Sequence, residues 1–80
     1  MAEFDDRLAR CFASVFPAVS PDQIRTASVE TLPEWDSLAT VTLIAVLEQE
    51  FNIEIDLLGS PELTSFEAVR DYVRVRVEQN

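Results

Sequence analysis

The sequence predicts an all-α domain, and three observations carry that expectation. Apolar residues recur at three- and four-residue spacing in three separate stretches. Ser20-Pro21-Asp22-Gln23 and Thr64-Ser65-Phe66-Glu67 have the form of capping boxes, the local signal for a helix start. Gly59 is the only glycine, whereas all-β folds of this size draw on more turn glycines. The 80 residues are expected to form one domain, 1–80. A chain this short buries only about 60–65% of its unfolded surface, enough for a modest core but not for a deep active site. Hydrophobic residues make up 48% of the chain, which argues against intrinsic disorder.

The first helix is expected over about 3–15. Phe4, Leu8, Cys11, Phe12 and Val15 fall on one face, and Asp5, Asp6, Arg7 and Arg10 on the other. Pro17 marks its exit, because the residue before a proline avoids the helical region. Residues 17–36 read as a long loop with a short turn at the Ser20 box, whose proline sits at the first helical position. Ile24, Val29, Leu32 and Trp35 are its core anchors, and loops of this length are often functional.

The second main helix is expected over about 37–50, with Asp36 or Ser37 as N-cap. Leu43, Ile44, Leu47 and Phe51 make its core face. Leu38, Thr42, Ala45 and Gln49 form a second row, uncharged where a surface helix ordinarily carries charge. A short helix is expected at about 56–60, ended by Gly59 and Pro61. The last helix is expected over about 65–77, capped by the Thr64 box, buried through Phe66, Val69, Tyr72 and Val73, and fraying near Glu78. The alternation Val73-Arg74-Val75-Arg76-Val77 is strand-like, but it follows a helix cap and has no evident partner strand.

Charge and composition narrow the function. The net charge is −9, with six arginines, no lysine and fifteen acidic residues, so nucleic-acid phosphate and anionic membrane surfaces would repel the chain. A basic partner would be attracted, although solubility alone explains the acidity equally well. The longest uncharged stretch, Ser37 to Leu47, is too short for the about 20 residues a bilayer span needs, so no membrane insertion is expected. The single Cys11 forms no internal disulfide and reads as a core residue. It fits a reducing cytosol, and the acidic start has no signal-peptide pattern, so a cytoplasmic location is expected.

No histidine is present, which removes histidine acid–base work, Ser–His and Cys–His pairs and most zinc sites. One glycine excludes a glycine-rich phosphate loop, and the acidic residues lack the spacing of a calcium loop. Carboxylate pairs such as Glu48 with Glu50, or Glu54 with Asp56, read as solvated charge. Neither catalysis nor a metal site is expected.

What remains is Glu34-Trp35-Asp36-Ser37-Leu38. Its plain reading is a core tryptophan, a capping aspartate and a first-turn serine. A serine at a helix start also sits among unpaired backbone N–H groups and the positive end of the dipole, where a phosphodiester is favoured. A long tethered arm would then lie along the uncharged row.

Here the sequence resembles the acyl and peptidyl carrier protein family. The matching residues are Trp35-Asp36-Ser37-Leu38, Val41, Leu43, Ile44, Leu47, Glu48 and Glu50-Phe51. They continue through Ile53-Glu54-Ile55 and Thr64-Ser65-Phe66 to Asp71-Tyr72-Val73. The likeness spans Leu32 to Val73 and is most specific in the run from Asp36. It implies a small four-helix bundle of the acyl-carrier type, with three main helices, one short helix and a long first loop. It implies that a phosphopantetheinyl transferase, with magnesium, moves 4′-phosphopantetheine from coenzyme A onto Ser37, with Asp36 helping the transferase and its metal engage. The arm's thiol would hold an acyl or aminoacyl group as a thioester and present it to acyl-loading and acyl-transferring enzymes. A monomer is expected.

The sequence departs from carriers of fatty acid synthesis, which show several acidic residues along this helix. Here those positions read Ala39, Thr42 and Gln49, with Glu48 retained. The departure points to a specialised fatty acid, polyketide or related pathway, with docking through Leu38, Thr42, Ala45, Glu48 and Gln49 and weaker electrostatic steering. The alternatives are a peptidyl or aminoacyl carrier, or an acidic helical interaction module without a cofactor.

Overall fold

The computed structural model describes residues 2–56 and 63–79. Four helices are present among them: α1 (Ala2–Val15), α2 (Pro21–Arg25), α3 (Ser37–Phe51) and α4 (Phe66–Gln79). The all-α expectation holds, and the strand-like alternation at 73–77 is helical. The expected short helix at about 56–60 lies, apart from Asp56, outside the described residues, and Asp56 itself is not helical.

Local chemistry explains each helix end. α1 places Glu3 and Asp5 in its first turn, where the positive end of the helix dipole favours them. It stops before Phe16-Pro17. α2 forms on the Ser20 capping box: Gln23 N–H donates to Ser20 Oγ at 3.3 Å, and Ser20 N–H donates to Gln23 Oε1 at 3.2 Å. α3 ends at Asn52 in the left-handed conformation (φ 54°, ψ 50°), a position asparagine tolerates better than most residues. α4 is capped by Ser65, whose Oγ accepts from Ala68 N–H at 3.1 Å. The cap is therefore one residue later than the expected Thr64 box. Thr64 is unavailable because its carbonyl accepts from Val29 N–H at 2.9 Å, while Phe66 N–H donates to Ala27 O at 2.9 Å. These bonds make a single antiparallel bridge, Ser28 with Ser65, that ties the long first loop to the start of α4.

Side-chain contacts set the helix directions. Phe4 near the start of α1 meets Phe51 at the end of α3, with ring centroids 5.4 Å apart. Phe12 near the end of α1 meets Trp35 just before α3, edge-on at 5.5 Å. α1 and α3 are thus antiparallel. Phe12 also packs against Phe66 at 5.0 Å, and Arg74 reaches Asp5 at 3.8 Å, so α4 runs antiparallel to α1 as well.

The core contains Leu8, Phe12, Ile24, Trp35, Leu43, Leu47, Val69 and Val73, all buried. Four sequence readings need correction. Phe16, Ala27 and Leu63 are buried core members that periodicity did not pick out. Val29 is 38% exposed, because its backbone pairs with Thr64 and its side chain is left at the surface. Arg7 and Asp5 are half-buried and reach neighbouring helices. Arg7 pairs with Glu50 at 2.8 Å, so the charged side of α1 partly lines its contacts with α3 and α4. α4 runs on to Gln79, two residues past the expected bound of about 77 and next to Glu78, the expected point of fraying.

Candidate functional site

Trp35 fixes the start of α3. Its indole is buried against Phe12 and Phe16, and its Nε1–H donates to Thr40 Oγ1 at 3.0 Å. Thr40 in turn donates its hydroxyl to Asp36 O. The aromatic anchor and the helix start are therefore locked to each other. Asp36 is the N-cap, with Oδ1 accepting from Ala39 N–H at 2.8 Å. Its Oδ2 has no hydrogen-bond partner among the described residues.

Ser37 occupies the first helical position and is exposed. Its hydroxyl makes no hydrogen bond among the described residues. The N–H groups of Ser37 and Leu38 also lack an acceptor there, since the cap engages Ala39 and Thr40. A free hydroxyl thus stands beside two free N–H donors at the positive end of a 15-residue helix. This arrangement suits an anionic phosphodiester on the serine oxygen, and the open surface leaves room for it.

The uncharged row beneath is also present. Leu38 is 75% exposed, and Thr42, Ala45 and Gln49 are exposed along the same helix. Val41, not expected as part of the docking row, joins it at 50% exposure. Its position three residues after Leu38 was the sequence signal for that placement. Glu48 does not join the row. It is half-buried, and its Oε2 accepts from Ile55 N–H at 2.9 Å, holding the segment after α3.

The remaining sequence candidates lie elsewhere. Glu50 is paired with Arg7, and Glu54 offers its backbone carbonyl to Arg76 at 2.8 Å. Cys11 is buried in the core, where burial first, and Glu50 second, push its thiol up to about 11 against the opposing pull of Arg7 and Arg10. No cluster of three or more potential metal ligands occurs among the described residues. Among them, no helix is long and apolar enough to cross a membrane. No family model matches the chain, and no solved structure matches it.

Proposed function

We propose that this chain is a carrier domain of the acyl-carrier type, bearing 4′-phosphopantetheine on Ser37 and serving a specialised fatty acid, polyketide or related pathway. The observation that carries the reading is the exposed Ser37 hydroxyl, without a hydrogen bond among the described residues, directly after the Asp36 cap and the buried Trp35. The bound group supplies a terminal thiol that holds the acyl or aminoacyl cargo as a thioester. The chain's own residues present and position the attachment point. Asp36 keeps one carboxylate oxygen on the helix and leaves Oδ2 open towards a modifying enzyme and its metal ion. The free N–H groups of Ser37 and Leu38 face the charge that modification introduces.

Docking rests on Leu38, Val41, Thr42, Ala45 and Gln49, a row with no charge to steer a basic partner. Partners of this face are expected to engage it through apolar contact, with a weak salt dependence of association. Efficient and strongly salt-sensitive service of a general fatty acid synthase would contradict the specialised role.

The central test is direct. Incubation with coenzyme A, magnesium and a broad-specificity phosphopantetheinyl transferase is expected to add one phosphopantetheine to the wild-type chain, read by intact mass. Ser37→Ala is expected to stay unmodified while remaining folded. A wild-type chain that stays unmodified with several transferases would instead favour an acidic interaction module without a cofactor.

A further inference from the structure

We propose that Thr40 is a positioning residue for the modification of Ser37. This rests on the carrier reading and names what aligns its attachment point. Trp35 Nε1–H donates to Thr40 Oγ1 at 3.0 Å, and the same hydroxyl donates to Asp36 O at 3.0 Å. Asp36 O also accepts from Thr40 N–H at 3.0 Å. The carbonyl just ahead of Ser37 is thus held by two donors. One of them, the hydroxyl, is itself tied to an indole buried against Phe12 and Phe16.

Helix stability does not account for this relay. Threonine is a weak helix former, and a hydroxyl bonded back to the carbonyl four residues earlier slightly destabilises a helix. The buried indole needs an acceptor, but this acceptor also hands the anchor on to the peptide that bears Ser37. Thr42 makes the same backward bond, to Leu38 O at 3.1 Å, with no donor behind it among the described residues. A departure from the local rule beside an attachment point marks a role at that point.

The relay acts through a peptide plane. Asp36 C=O and Ser37 N–H belong to one planar trans unit and point in opposite directions. Fixing the carbonyl therefore fixes the Ser37 N–H, one of the two free donors beside the serine hydroxyl. It also presents that hydroxyl from a preset backbone. In the transfer, Ser37 Oγ bonds to the pantetheine-bearing phosphorus of coenzyme A and the diphosphate P–O bond breaks. Adenosine 3′,5′-bisphosphate leaves with the electron pair, and the serine proton passes to a base of the transferase. Thr40 bonds to none of these atoms. It is half-buried with its hydroxyl turned inward, so its loss disturbs alignment and not docking.

The test uses the full chain with coenzyme A, magnesium and a broad-specificity phosphopantetheinyl transferase in excess, followed by intact mass. The maximal rate reads alignment, and the half-saturating transferase concentration reads docking. Thr40→Val keeps the shape and removes the hydroxyl. It is expected to lower the maximal rate about tenfold, within the about 100-fold that a displacement of about 1 Å can cost. Its half-saturating concentration is expected to match wild type, and Thr40→Ser is expected to restore the rate. Trp35→Phe keeps an aromatic ring in the core, leaves no indole N–H unpaired, and is expected to lower the rate in the same way. It decides the matter where Thr40→Val does not fold by circular dichroism. An unchanged maximal rate in the folded variant would overturn the proposal. So would a loss confined to half-saturation, or one that Thr40→Ser does not restore. A wild-type chain that stays unmodified would remove the carrier reading itself, before any variant is compared.

Discussion

Asp36 caps α3 through Oδ1, while Ser37, one residue on, leaves its hydroxyl unengaged among the described residues. The adjacent residues therefore separate stability from attachment. Asp36→Ala is expected to lower unfolding free energy by about 0.5–2 kcal/mol, the usual effect of losing a cap. Ser37→Ala is expected to change it by less than about 0.5 kcal/mol, as at a surface position without a partner. Urea denaturation of both variants checks the pair, and a cap-sized loss at Ser37 would refute the division. Cys11 gives a pH signature. Its thiol ionises near 9.0 when unfolded and at about 11 when folded. Between these values the unfolded chain has lost the proton that the folded chain keeps, so ν_U is below ν_N and stability falls as pH rises. The decline is at most about 3 kcal/mol by pH 11. Denaturation between pH 9 and pH 11 is expected to show a shallower decline in Cys11→Ala, whatever that variant's baseline.

Elements join through a few directed bonds as well as through the core. After α3, Asn52 turns the chain, Ile53 and Ile55 are buried, and Glu48 reaches across to the Ile55 amide. Glu48→Ala leaves that part-buried N–H without its partner and is expected to destabilise by about 1–3 kcal/mol. Glu48→Gln retains an acceptor and is expected to lose less. Hydrogen exchange at Ile55 distinguishes this local role from a surface one, since exchange there should accelerate in Glu48→Ala before global unfolding. The start of α4 shows how much of such a junction is legible in advance. Thr64 and Ser65 are both competent caps, and the sequence pointed to the first. The backbone pairing of Val29 with Thr64, and of Phe66 with Ala27, selected the second. These partners lie more than thirty residues apart, so no local pattern contained the choice.

At the scale of the molecule, charge is the dominant surface property. Among the described residues, the ion pairs Arg7–Glu50, Arg25–Asp6, Arg70–Asp71 and Arg74–Asp5 engage four of the six arginines, against fifteen acidic residues in the chain. Such pairs, partly open to solvent, contribute little each, so mutual repulsion of the excess carboxylates sets the electrostatic response. Raising ionic strength from about 0.01 M to about 0.15 M shortens the screening length from about 30 Å to about 8 Å. The thermal midpoint is therefore expected to rise with sodium chloride over this range. A midpoint that falls would mean the four ion pairs outweigh the repulsion.

The sequence by itself determined the three main helices, the Ser20 cap and the neutral row on α3, because each is encoded within a few consecutive turns by spacing or by a capping side chain. It also placed Asp36 and Ser37 at a helix start, since a polar pair ahead of a long apolar period leaves few other readings. Only the tertiary structure decided that Asp36 alone is the cap and that Glu48 serves the chain and not its surface. It also decided that Val29 stays outside while Phe16 and Ala27 go in. Each of these depends on which distant backbone or aromatic group arrives next to a residue. Burial and pairing are properties of that arrival, and a local pattern of residue types does not contain them.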